Sequence, residues 1–208
     1  MAFADIHFRI RIGVTGHRTI KDPEAVARKI REILNDRVWE MFDPPLRIKD
    51  PVTPLAFTVL SPLAEGADRL VAKEVLKIAD SELEVVLPLA KEDYLLDFST
   101  PESKAEFQQL LDRARKTTLL REAGPETGLD EVRAKAYESA GRYVVDHCDL
   151  LIAIWDGKPA RGRGGTAEIV AYARNKGRPL VIVSTDNTED IFIEKGIGIS
   201  SLNLSYRG

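Results

Sequence analysis

One stretch, residues 149–168, constrains the fold of this 208-residue chain more than any other. Asp149 precedes the apolar run Leu150-Leu151-Ile152-Ala153-Ile154-Trp155, which stops at Asp156. Gly157 and Lys158 lead into a loop with Arg161, Gly162 and Arg163, and Gly164-Gly165-Thr166 then opens a helix that carries Glu168. An apolar run that does not alternate predicts a strand buried on both faces, as in a parallel sheet. Strand, glycine loop and helix N-terminus, in that order, make an anion site: free backbone N–H groups and the positive end of the helix dipole point the same way.

The rest of the chain repeats the alternation. Phe8–Val14 reads as a strand and is followed by the turn Thr15-Gly16-His17-Arg18. Asp22 is an N-cap signal and Pro23 suits the first helical position. Val26, Ile30, Ile33, Leu34 and Met41 recur at helical spacing, which predicts a helix over 23–41. The segment 42–54 has four prolines and predicts an irregular loop. Leu55–Leu60 is a second strand, and the loop Ser61–Arg69, with Glu65, Gly66 and Asp68, opens a second helix. Further strands are expected at Leu83–Leu87, Thr117–Leu120 and Leu180–Val183, with an edge strand somewhere in Asp190–Tyr206. Further helices are expected after Thr100-Pro101, over 130–147 and over 165–176. The fold expected is one α/β domain over 1–208, Rossmann-like and doubly wound, with a mainly parallel sheet and helices on both faces. In a 3-2-1-4-5 order the first and fourth main strands meet where the winding reverses, and ligands bind there, beyond the carboxyl ends of the strands. The loops at Thr15–Arg18, Ser61–Arg69 and Asp156–Thr166 then share one cleft.

Several chemistries drop out. G-x-G-x-x-G is absent and so is an acidic end to the second strand, so a nicotinamide dehydrogenase is not expected; the P-loop signature is absent too. The three histidines, His7, His17 and His147, have no metal-site spacing, and neither a metal nor a cofactor is expected. A net charge of −3 argues against a nucleic-acid-coating protein. The only cysteine, Cys148, excludes an intrachain disulfide. Apolar runs fall short of the roughly 20 residues that span a membrane, and the N-terminus lacks a signal-peptide pattern. These features predict a cytoplasmic protein without a membrane partner.

What remains is a set of ligand candidates: Thr15, Gly16, His17 and Arg18; Glu65, Gly66 and Arg69; Asp156, Gly157, Arg161, Arg163, Gly164, Gly165, Thr166 and Glu168. Each has a plainer alternative. Asp68 and Glu168 stabilise helix dipoles at first-turn positions, and Thr166 caps its own helix. If the chain is an enzyme, Glu168 and Asp68 are its candidate acids.

Thr15-Gly16-His17-Arg18, Ser61–Arg69 and Gly164-Gly165-Thr166-Ala167-Glu168 together resemble the SLOG superfamily, which includes the Lonely Guy-type phosphoribohydrolases and DNA-processing protein A. Gly164–Glu168 looks like a compressed form of the Gly-Gly-x-Gly-Thr-x-x-Glu loop of the hydrolases. Ser61–Asp68 is similar to the Ser-Gly-x-Ala-x-Gly-x-Asp segment of DNA-processing protein A, with Pro62 in place of a glycine. The resemblance covers about residues 8–184. It implies a Rossmann-like fold, a nucleotide-derived ligand, a bacterial sensor or binding module, and a homodimer. The Pro-Gly-Gly start and the further arginines of the hydrolases are not matched. The alternative it implies is an enzyme that cleaves the N-glycosidic bond of a nucleoside monophosphate; single-stranded DNA binding is a third reading.

Overall fold

The computed structural model describes residues 8–41, 55–120, 129–159 and 164–196. Arg161 and Arg163, with Gly162, lie outside the described residues, as does the proline-rich segment 42–54. Seven strands form one sheet: β1 (Phe8–Gly16), β2 (Leu55–Ser61), β3 (Glu82–Leu87), β4 (Lys116–Leu119), β5 (Leu150–Trp155), β6 (Leu180–Ser184) and β7 (Ile191–Glu194). Their order is β4-β3-β2-β1-β5-β6-β7. All neighbours are parallel except β6 and β7, which are antiparallel at one edge. The helices are α1 (Pro23–Glu32), α2 (Ala67–Val75), the short α3 (Lys91–Tyr94), α4 (Pro101–Asp112), α5 (Leu129–His147) and α6 (Thr166–Asn175). This is the Rossmann-like α/β architecture expected from the alternation. The winding reverses between β1 and β5, where Ile12 faces Leu150 and Gly16 faces Ile154 across the ladder.

The period-2 pattern explains why β5 and β6 read as unbroken apolar runs. Leu150, Ile152 and Ile154 join the core on one face with Val181 and Val183, beneath Val26 and Ile30 of α1 and Val71 and Val75 of α2. Leu151 and Ala153, with Leu180 and Ile182, join the other core beneath Val144 and Val145 of α5, Cys148 just after it, and Ile169, Val170 and Ala173 of α6. With both faces buried, the paired residues Leu150–Ile154 and Leu180–Val183 are apolar throughout. Cys148 is part of that core, and burial pushes its thiol up to about 12, out of reach of thiolate chemistry near neutral pH.

Two expected elements differ in detail. The helix expected over 23–41 is α-helical only to Glu32; Ile33–Arg37 form a wider π-turn and Val38–Met41 a tighter 3₁₀ turn. Ile33, Leu34, Val38 and Met41 stay buried, so the change of pitch keeps the apolar residues facing the sheet. Thr166 is not the N-cap of α6: Gly165 holds that position in an extended conformation, and no side chain caps it.

Candidate functional site

The carboxyl ends of β1 and β5 open into a cleft of about 440 Å³, floored by Val14 and Thr15 and walled by Tyr137, Ala140 and Gly141 of α5. Gly16, His17 and Arg18 form one side, Pro62, Ala64 and Asp68 a second, and Trp155, Asp156, Gly164, Gly165 and Thr166 a third. The three loops expected at the switch point therefore do meet.

Backbone contacts hold them together. The His17 N–H donates to the Ile154 carbonyl at 3.0 Å, and the Ala67 N–H donates to the His17 carbonyl at 3.1 Å. Gly66 caps α2 at φ 78°, ψ −116°. A Cβ there would lie 2.3 Å from the Arg18 carbonyl oxygen and 2.4 Å from that of His17. Gly66 is thus needed because two loops cross without room for a side chain, which is a packing role rather than a ligand contact. Gly16 is pressed against Ala67 and Ile154 in the same way. Gly164, at φ 75°, backs onto α5, where a Cβ would meet the Glu138 amide nitrogen at 2.8 Å. Gly157, at φ 76°, faces open space.

At the start of α6 the first N–H groups have no intrahelical acceptor. Gly165, Thr166 and Ala167 line the cleft there. Glu168 does not line it. Its exposed carboxylate turns back to accept the Gly164 N–H at 2.7 Å, a variant of the capping box in which the acid at the third helical position ties down the loop.

His17 and Asp156 face each other across the switch point. The Asp156 N–H donates to His17 Nε2 at 3.2 Å, and that same nitrogen lies 3.1 Å from Asp156 Oδ1. The neutral Nδ1–H tautomer accepts the first contact; an imidazolium donates to the second. Burial acts to raise the Asp156 carboxyl, but the Lys158 N–H, His17 and the Lys158 ammonium together hold it below the ordinary carboxylate range. Lys158 bridges the rim to Asp186 at 3.1 Å.

Asp68 is the deepest acid in the cleft, 6% exposed. Burial pushes its carboxyl up to about 7, against the lowering effect of the Ala64 N–H, the Ser61 hydroxyl, Arg18 and Arg69. Perturbed carboxyls in clefts are enriched at functional sites.

Arg69 and Glu65, expected as ligand contacts, sit outside this cleft. Arg69 is 2% exposed. Its guanidinium donates to the Leu63 carbonyl at 3.0 Å, to Ser103 at 2.9 Å and to Glu106 at 3.0 Å, and it lies 4.4 Å from the Phe98 ring centre. It braces α2, α4 and the Ser61–Gly66 loop. Glu65 accepts the Ser103 hydroxyl. Arg18 remains half-exposed at the cleft, 3.8 Å from Asp97 and 5.6 Å from the Tyr137 ring centre.

Sequence reasoning missed the α3 and α5 wall. Tyr94 is fully buried, and the Tyr137 hydroxyl donates to Asp97, which also pairs with Arg133. Burial and Asp97 push the Tyr137 hydroxyl up to about 12. One signal was present: Gly141 interrupts a helix, which costs about 1 kcal/mol relative to alanine. It admits Ile169 of α6, whose Cδ1 would lie 2.4 Å from a Cβ at Gly141.

Among the described residues no group of three or more His, Cys, Asp or Glu side chains is placed to hold a metal ion. Among them, too, no helix is long and apolar enough to cross a membrane.

Fold and cleft together define a Rossmann-like, doubly wound α/β protein with a cleft at its switch point. The chain matches no protein-family model and no curated protein.

Proposed function

We propose that this cleft binds a nucleotide or a nucleotide-derived molecule bearing phosphate and ribose, and that the protein serves as a binding or sensor module of the SLOG type. The observation that carries this reading is the opening of the α6 N-terminus, at Gly165 and Thr166, onto the same cleft as His17 and Arg18 at the β1–β5 reversal. An anionic group on α6 gains from unpaired N–H groups and the helix dipole. Aromatic and apolar walls from Tyr137, Trp155 and Val14 suit a flat, partly apolar remainder. A small molecule, rather than a nucleic acid, fits a concave pocket on a chain of net charge −3.

A thermal-shift panel of nucleotides, cyclic nucleotides and ADP-ribose derivatives tests the reading. At 100 times Kd a ligand adds about 2.7 kcal/mol, a rise of about 5–11 °C for a chain of this size. A panel with no shift overturns it.

Asp68 favours one second reading, an N-glycosidic hydrolase in which water replaces the base at the sugar carbon and the base leaves with a proton. Glu168 points away from the cleft, so in this reading Asp68 carries the acid–base work. Release of free base from AMP, lost in Asp68→Asn, supports it; no release by the wild type removes it.

A further inference from the structure

Asp68 is chemically opposite to the α6 end of the cleft, and its surroundings define what it can take. The carboxylate is set by the first turn of α2, two positions after Gly66. The Ala64 N–H donates to Oδ2 at 3.2 Å, and the Ser61 hydroxyl also donates to the carboxylate. These donors come from a loop bent sharply at Leu63, whose φ of 60° is unusual for a leucine. The bend turns the loop back over the acid. The charged and titratable groups around it come from four elements. Arg18 follows β1, Arg69 lies on α2, Tyr94 and Asp97 follow β3, and Tyr137 lies on α5. Arg18 pairs with Asp97 and Arg69 with Glu106. A carboxylate has about four lone-pair sites, so two donors leave acceptor capacity, and Asp68 lines the cleft.

Resting on the ligand class proposed above, we infer that Asp68 is a specificity subsite for a hydrogen-bond donor on the ligand, a hydroxyl or an amine. The ligand then lies with its anionic group on Gly165–Thr166 and its donor-bearing part on Asp68. The reverse orientation sets a phosphate against a buried carboxylate and leaves the helix N-terminus without an anion. Buried polar groups that lose their partner reject the analogue lacking it more strongly than apolar pockets reject a missing methylene.

The test is isothermal titration at pH 8 with AMP, 2′,3′-dideoxy-AMP and inosine monophosphate, free base being assayed in the same samples. The first analogue lacks the sugar hydroxyls and the second lacks the exocyclic amine. The inference predicts that one of them binds at least tenfold more weakly than AMP, which also identifies the donor. It predicts that Asp68→Asn erases most of that difference. The analogue series on the wild type stands even if Asp68→Asn folds poorly, and Ser61→Ala, which removes one group orienting the carboxylate, supplies a second variant with a reduced preference. Equal binding of all three ligands overturns the subsite while leaving a nucleotide cleft in place. No binding of AMP by the wild type overturns the inference and counts against the nucleotide reading with it.

Discussion

Replacing Gly66 by alanine isolates the contact that joins two cleft loops. Gly66 has φ 78° and ψ −116°, a conformation that a residue with a side chain adopts only under strain. A Cβ would also lie 2.3 and 2.4 Å from two carbonyl oxygens of the Thr15–Arg18 loop, and neither oxygen belongs to a flexible side chain. The strained dihedral costs about 1–3 kcal/mol and the forced backbone shift about 1–3 kcal/mol. A total of about 3 kcal/mol lowers Tm by roughly 6–12 °C in a chain of this length. Gly157→Ala is the matched control, because Gly157 has φ 76° with nothing within 4 Å of its would-be Cβ. It carries the dihedral cost alone, about 1 kcal/mol or about 2–4 °C. Differential scanning calorimetry of the two variants measures the difference. If Gly66→Ala melts no lower than Gly157→Ala, the two loops are not locked together as described and the cleft is not preformed.

Three further outcomes follow from the same geometry. Asp68 titrates at about 7 when folded and near 4 when unfolded, so the folded state binds the extra proton between these values. The associated stability is full below about pH 4 and is lost as pH rises through about 7. Asp68→Asn mimics the neutral form, so in denaturant unfolding its stability relative to wild type should rise from pH 5 to pH 8; an unchanged difference refutes the shift. Arg69→Met should cost about 3 kcal/mol, because it removes donors to Leu63, Ser103 and Glu106. Glu168→Ala should cost about 1 kcal/mol, as loss of a helix-end cap does, and should leave nucleotide affinity within twofold; a tenfold loss in titration places Glu168 in the site after all.

The sheet was legible because β1, β5 and β6 are apolar where both faces are covered, and because glycines and prolines punctuate the chain between them. The meeting of Thr15–Arg18, Pro62–Asp68 and Asp156–Thr166 followed from the doubly wound order alone. Side-chain roles were less legible. Arg69 beside Gly66 looks like a ligand contact, but Ser103, Glu106 and Phe98, more than 25 residues on, claim it. Glu168 and Thr166 share the first turn of α6, yet the helical angle sends one outward and the other to the cleft. Tyr94 and Tyr137 gave no local signal, since only the tertiary fold brings them to the cleft beside Val14 and Thr15.

The central claim is that an anionic, nucleotide-derived ligand sits between the α6 N-terminus and the Thr15–Arg18 turn. Amide chemical shifts of the ¹⁵N-labelled protein, followed while the best-stabilising nucleotide of the panel is added, test it most directly. The account predicts saturable shifts concentrated at Gly16, His17, Gly165 and Thr166. Shifts that fall instead on the Glu65, Ser103 and Glu106 side, or none at saturating nucleotide, contradict it.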